Sequence, residues 1–180
     1  PLCLIPTTAG TGSEVTPISI ITIEGEEKRG VVSPILLPDL AVLDPQLTLG
    51  LPASITAATG VDAMVHAIEA FSSKSPNNNY LSRLMAQEAL VLLNRSITIA
   101  VTSGENIEAR SDMLMGSMMA GMAFANSPVA AVHALAYPLG GNFHIPHGLS
   151  NSLVLPAVLK FNSSEVTAAQ AYAELAQIVC

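Results

Sequence analysis

Thr59 to Ala70, TGVDAMVHAIEA, is the stretch from which the rest of the chain can be read. As a helix it sets Asp62 and His66 at i and i+4, so a carboxylate and an imidazole leave the same face one turn apart. That spacing serves two metal ligands, and it serves equally a buried histidine satisfied by its neighbour. The other histidines tilt the reading towards a metal. The chain has four in all, and three of them lie between His133 and His147. The segment VHALAYPLGGNFHIPHG, residues 132–148, is rich in Pro and Gly, whose turns can bring His133 and His147 to one point. Burying several imidazoles in apolar surroundings is costly unless they share a partner, and a divalent ion is such a partner. One Asp and three His form a mixed oxygen and nitrogen set suited to Fe(II) or Zn(II), where Mg or Ca would call for oxygen alone.

Composition bounds the classes. The chain has 180 residues, of which 50% are apolar, enough to bury one ordinary domain or two small lobes. Only 12% are charged, against about a quarter in most soluble domains, so many helices must pack on more than one side. The net charge is −7 with no basic run longer than Lys28-Arg29, which excludes a nucleic-acid footprint. Cysteines stand only at positions 3 and 180, so no disulfide framework is expected, and a reducing cytoplasm is the expected compartment. Met113 to Leu139 carries no formal charge and is long enough to suggest a membrane span. Its Asn, Pro, Gly, Ser and His residues favour a buried helix in which Met113, Met115, Met118, Met119 and Met122 form an adaptable core.

Outward from the central helix, two textures divide the chain. Residues 1–50 read as short strands and turns. Leu2–Ile5 is closed by Pro6, Val15–Ile23 and Arg29–Ser33 suggest a hairpin around Glu24–Glu27, and Leu40–Leu43 stops at Asp44-Pro45. Between the first two strands lies PTTAGTGSE, residues 6–14, small and rich in hydroxyls; such a loop either cradles a phosphate or ribose or is simply a turn. From Pro52 onward the pattern is helical. Helices are expected from an N-cap among Asn77 to Asn79 to about Val101 and from Glu105 to Ala125. A third, over Val129–Ala136, is broken by Pro138-Leu-Gly-Gly141, and a fourth covers Gly148–Val158. The last starts at a capping box formed by Asn162 and Glu165. Glu69, one turn past His66, is read as an acceptor for that ring's remaining N–H or as an ordinary cap, and His144 as a structural residue lining a cleft.

Taken together, the motifs PTTAGTGSE (6–14), PDLAVLDP (38–45), LPxxxTAATGVDAMVHAIEA (51–70) and HALAYPLGGNFHIPHG (133–148) resemble the iron-containing, group III, alcohol dehydrogenases, in the order found in that family. The resemblance implies a dehydroquinate synthase-like fold, present here in part: an α/β remnant of the nucleotide-binding lobe in residues 1–50, then an all-α metal-binding lobe in residues 51–180. It implies Asp62, His66, His133 and His147 as ligands of Fe(II), with Zn(II) possible. It implies NAD or NADP contacts at Thr7, Thr8, Thr11, Ile18 and Lys28, and reversible hydride transfer between a small alcohol or aldehyde and the nicotinamide. A homo-oligomer is expected of the full-length protein, with no membrane or nucleic-acid partner. Tyr137 stands where many members carry a second histidine proposed to relay protons, which makes it the candidate catalytic residue. Glycerol-dehydrogenase-like or dehydroquinate-synthase-like enzymes of the same fold, and a non-catalytic truncated protein, are the competing readings. Because the chain opens on Pro-Leu-Cys and stops within a helical pattern at Cys180, it is expected to be internal to a longer protein and inactive alone.

Overall fold

The computed structural model describes residues 1–23 and 28–180, with Thr22 and Lys28 described by their backbone alone. The expected hairpin turn at Glu24–Glu27 lies outside the described residues. Strand β1, Cys3–Leu4, ends before Pro6, where the ladder loses a donor. Strands β2, Ile18–Thr22, and β3, Lys28–Val32, pair antiparallel with Ile18 opposite Val32. β2 starts later than the sequence pattern suggests: Ser13–Val15 is a 3₁₀ turn, and Pro17 cannot donate to a ladder. Strand β4, Leu40–Ala41, pairs parallel with β1, Cys3 opposite Leu40, and the Asp39 carboxylate accepts from the Leu2 N–H at 2.6 Å.

Six α-helices follow. Helix α1, Ala53–Ser72, begins after Pro52, and α2, Tyr80–Thr102, is capped by Asn79 and Ser82 in a reciprocal box. Helix α3, Ile107–Asn126, is capped by the Asn106 side chain. These three build the core, in which Phe71, Leu90, Leu93, Met113 and Leu114 interleave with alanines that let the backbones approach. Arg110, buried within α3, pins the start of α1 by donating to the Thr56 hydroxyl and to the carbonyls of Gly104 and Leu51.

Helix α4, Ala131–Phe143, runs straight through Pro138, Gly140 and Gly141, so the expected break there is not found. Pro138 removes only the bond to the Ala134 carbonyl, and Ala134 faces solvent, where water can take it. The helix ends instead at His144, whose left-handed backbone (φ 54°) turns the chain while its N–H caps the Leu139 carbonyl. Helix α5, His147–Asn162, begins at the last histidine, and α6, Val166–Val179, is capped by Glu165 accepting from the Ala168 N–H. The expected cap at Asn162 is therefore displaced, since Asn162 is still the last residue of α5 and donates to the Tyr172 hydroxyl.

The charge-poor stretch 113–139 is split between two helices, as expected from Glu105–Ala125 and Val129–Ala136, and is only partly buried. It divides between α3 and α4, which meet at 109°, and only Met113 of the five methionines is fully buried; Met115 and Met122 are exposed. Among the described residues α2 is the one single helix long and apolar enough to cross a membrane, yet its Ala86, Ala89, Leu90 and Leu93 are spent on the core with α1 and α3.

Candidate metal centre

Helix α1 presents Asp62 and His66 inward, α4 brings His133 across from its first turn, and α5 brings His147 from its first residue. Three imidazoles thereby face one carboxylate oxygen. Asp62 Oδ1 lies 3.9 Å from His66 Nε2, 3.6 Å from His133 Nε2 and 3.5 Å from His147 Nε2. Ligand bonds of about 2.0–2.2 Å in a tetrahedral site require donor atoms about 3.3–3.6 Å apart; the distances to Asp62 are near that, and Asp62, His66 and His133 offer atoms within 4.8 Å of one another, a group that does not include His147. Asp62, His66 and His133 are buried, whereas the His147 side chain is 32% exposed and marks the open side.

The outward ring nitrogens fix the inward ones. His66 Nδ1 is 3.2 Å from the carbonyl of Gly10, a group that can only accept, so Nδ1 carries the proton and the Nε2 lone pair faces the centre. His133 Nδ1 is 2.6 Å from Glu69 Oε2 and carries a proton there as well. Glu69 was expected to serve His66 or a cap. Instead it spans to α4, accepting also from the N–H groups of Ala130 (3.0 Å) and Val132 (2.7 Å). One carboxylate thus satisfies the first turn of α4 and orients the histidine that the turn carries.

Electrostatics match this assignment. Burial drives His66 down to about 4 against the pull of Asp62, keeping it in the neutral form that coordinates. Burial also opposes charge on His133, but the hydrogen bonds and charges of Asp62 and Glu69 prevail and lift it to about 9. Burial would raise Asp62 and Glu69, yet the facing histidines, and for Glu69 the N–H groups of α4, hold both below the usual carboxylate range. A site whose strongest proton sits between two carboxylates is one where a cation is wanted, and a metal ion there displaces that proton. Donor types, convergence and ring orientation all fit a divalent ion.

Of the other candidate residues, the Thr-rich loop reaches this centre through Gly10. The loop bearing Thr7, Thr8 and Thr11 lies on α1 and α3: a Cβ at Gly10 would stand 2.8 Å from Thr59 Cβ, and Gly12, with φ +59°, lies so close to Gly121 that a Cβ would come within 2.6 Å of its Cα. Thr7 and Thr11 are exposed and Thr8 half-buried, with the Thr11 hydroxyl on Ser13 at 3.1 Å. Ile18 packs against the core, and the side chain of Lys28 lies outside the described residues. The Tyr137 ring lies nearly parallel to that of His147, centroids 6.0 Å apart, and burial with the nearby Asp62 raises its phenol above the ordinary value. His144 is exposed at the end of α4. One participant was missed in the sequence: Asn151, fully buried, donates its side-chain amide to Asp62 Oδ1. Its signal was the same i, i+4 spacing, here from His147.

Residues 56–180 match the C-terminal part of the Fe-containing alcohol dehydrogenase family, and residues 1–45 match iron-containing alcohol dehydrogenase. The chain belongs to the iron-containing alcohol dehydrogenase family. Among iron-containing alcohol dehydrogenases and their kin it is 52% identical over 161 residues to long-chain-alcohol dehydrogenase 1 of Geobacillus thermodenitrificans, covering 89% of this chain and 40% of that protein. The crystal structure of a 1,3-propanediol oxidoreductase superposes with a TM-score of 0.93 at 40% identity, covering 99% of this chain and 46% of the other. Sulfoacetaldehyde reductase of Bifidobacterium kashiwanohense, solved in complex with NAD+, gives 0.85 at 38% identity over 90% of this chain and 43% of its own. The chain thus spans less than half the length of these relatives.

Proposed function

We propose that this chain is the metal-holding part of an NAD(P)-linked alcohol dehydrogenase that moves hydride reversibly between a small alcohol and a nicotinamide ring. The observation that carries the reading is the gathering of Asp62, His66 and His133 within 4.8 Å of one another, with His147 Nε2 3.5 Å from Asp62 Oδ1 on the open side. A divalent ion held there supplies Lewis-acid polarisation of the substrate oxygen. The residues do the rest. Asp62 contributes the one negative charge, Glu69 and the Gly10 carbonyl hold His133 and His66 in register, and the buried wall, including Phe124 at 4.6 Å from the His66 ring, keeps water from all but the His147 side. Tyr137, kept protonated at neutral pH, offers a hydrogen-bond donor at that open side rather than a base.

The loop of Thr7, Thr8 and Thr11, with Ile18 and Lys28, is assigned to the nicotinamide nucleotide. Its support is proximity: Gly10 of this loop bonds a metal ligand directly, so a nucleotide on the loop stands next to the centre. The relatives' names suggest long-chain alcohols and 1,3-propanediol as first substrates to try. The lobe boundary is placed near Gly50, where the last strand has ended and α1 is about to start. Both cysteines are free and exposed, which suits a reducing cytoplasm; a homo-oligomer of the whole protein completes the proposal. The test is alcohol-dependent reduction of NAD+ and of NADP+ by the full-length protein that contains this chain, loaded with Fe(II) or Zn(II), with either alcohol. Turnover that needs the metal and is abolished by Asp62→Ala supports the reading; turnover unaffected by chelation and by Asp62→Ala would reject it.

A further inference from the structure

Asn151 holds a position in the metal centre that its own hydrogen bonding does not explain. Its side chain is fully buried, and Nδ2 lies against Asp62 Oδ1 while standing 3.3 Å from His133 Nε2 and 3.3 Å from His147 Nε2. One amide nitrogen therefore faces three of the four proposed ligand atoms. Its carbonyl, Oδ1, is buried with no hydrogen-bond partner among the described residues. The reverse orientation would press that carbonyl oxygen against the Asp62 carboxylate, so the amide points its donors inward although its oxygen goes unsatisfied.

We propose that the Asn151 amide is an exchangeable occupant of the metal centre, donating to Asp62 and standing against the Nε2 atoms of His133 and His147 until an ion takes its place. The inference rests on the metal reading given above. The place is the same in both cases: a donor N–H and a cation compete for the lone pairs of Asp62 Oδ1, and N–H dipoles pointed at a dication are repelled by it. Binding an ion therefore requires the amide to withdraw from the centre, and its charge-assisted bond to Asp62 is lost or reshaped in the process. The placement on α5, one turn beyond His147, gives the amide that reach, since both side chains leave the same face of the helix. The exchange trades affinity for order. It keeps the buried Asp62 carboxylate solvated by protein while the ion is away, and it weakens the ion's hold by the bond that must be given up.

The experiment is competitive titration of Zn(II) into chelator-stripped wild type, Asn151→Ala and Asn151→Leu, the second filling the volume that alanine empties. Each stripped protein is also melted. The proposal expects both variants to melt lower than wild type without metal, and at least one folded variant to bind Zn(II) tenfold or more tightly than wild type. In parallel, wild type is labelled at asparagine, and the Asn151 side-chain NH2 resonances, assigned by their loss in a variant, are followed as Zn(II) is added. They are expected to shift with the binding isotherm. Equal or weaker Zn(II) binding in the folded variants, or NH2 resonances unmoved at full occupancy, would overturn the proposal. Should neither variant fold once stripped, the resonance measurement on wild type decides alone. Wild type that binds no Zn(II) at all would instead overturn the metal reading beneath it.

Discussion

Glu69 concentrates more of the centre in one side chain than any ligand does. It accepts from His133 Nδ1 and from two N–H groups of the first turn of α4, all at 3.0 Å or less. Glu69→Ala leaves two buried donors and one ring unpaired. We expect a loss of about 2–5 kcal/mol in stability and a fall of about 10–100-fold in metal affinity, measured by melting and chelator competition. Glu69→Gln, which keeps an acceptor, should recover part of both. An equally stable alanine variant would show that α4 does not depend on this clamp. Tyr137 marks the opposite case. It stacks beside His147 without supplying a ligand atom, so Tyr137→Phe should keep wild-type metal stoichiometry by elemental analysis, and loss of the metal would place the phenol in the centre. At this scale the sequence told only part of the story. The i, i+4 pair Asp62 and His66 is visible because helical geometry alone sets it. The acceptors of His66 and His133 are not, because Gly10 and Glu69 reach them across 56 and 64 residues. A spacing rule within one helix assigned Glu69 to the nearer ring.

Glycines decide how closely the elements come together. The Gly148 backbone of α5 crosses α1 so tightly that a Cβ would lie 1.8 Å from the Ala58 carbonyl oxygen, whereas Gly141 in α4 has nothing within 4 Å of that position. Gly148→Ala must push α5, and His147 with it, away from α1; it should cost about 3 kcal/mol or more and lower metal occupancy. Gly141→Ala, inside a helix with open space, should be neutral or stabilising by about 0.5–1 kcal/mol. Comparable melting of the two variants would contradict the close crossing. The short 3₁₀ turn after the Thr-rich loop supplies a pH test. Glu14 is buried there, and desolvation raises its pKa despite a backbone hydrogen bond. A carboxyl with a raised folded pKa binds more protons folded than unfolded, so stability falls as pH rises from the ordinary value of 4.5 through the folded one. Glu14→Gln should therefore raise the melting temperature at pH 7 and abolish that part of the wild-type gain on acidification towards pH 5. A lower melting temperature at pH 7 would mean that the carboxylate has an undisclosed partner. The caps show where pattern reading holds and fails: Asn79 is local and was legible, but at α6 two acidic or amide caps lay three residues apart, and the packing of Asn162 against Tyr172 chose between them.

At the scale of the molecule, a strand-and-turn segment ending near Gly50 lays one glycine loop against a six-helix assembly, and that contact joins Gly10 to His66. The division into strand-rich and helical parts was legible because proline placement and apolar period change together near Pro52. So was the gathering of His66, His133 and His147 about Asp62, because histidines are scarce and clustered. The angle of 109° between α3 and α4 was not legible, since hydropathy is continuous across it and only the packing of His133 towards Asp62 requires the turn. Everything functional in this account depends on four side chains holding one divalent ion. The most direct measurement is anomalous diffraction at the iron or zinc absorption edge from crystals of protein loaded with that metal. A single strong peak per chain is expected, within about 2.0–2.3 Å of Asp62 Oδ1 and of the Nε2 atoms of His66, His133 and His147. A fully loaded protein whose peak lies elsewhere, or no peak at this point with the Asn151 amide still bonded to Asp62, would contradict it.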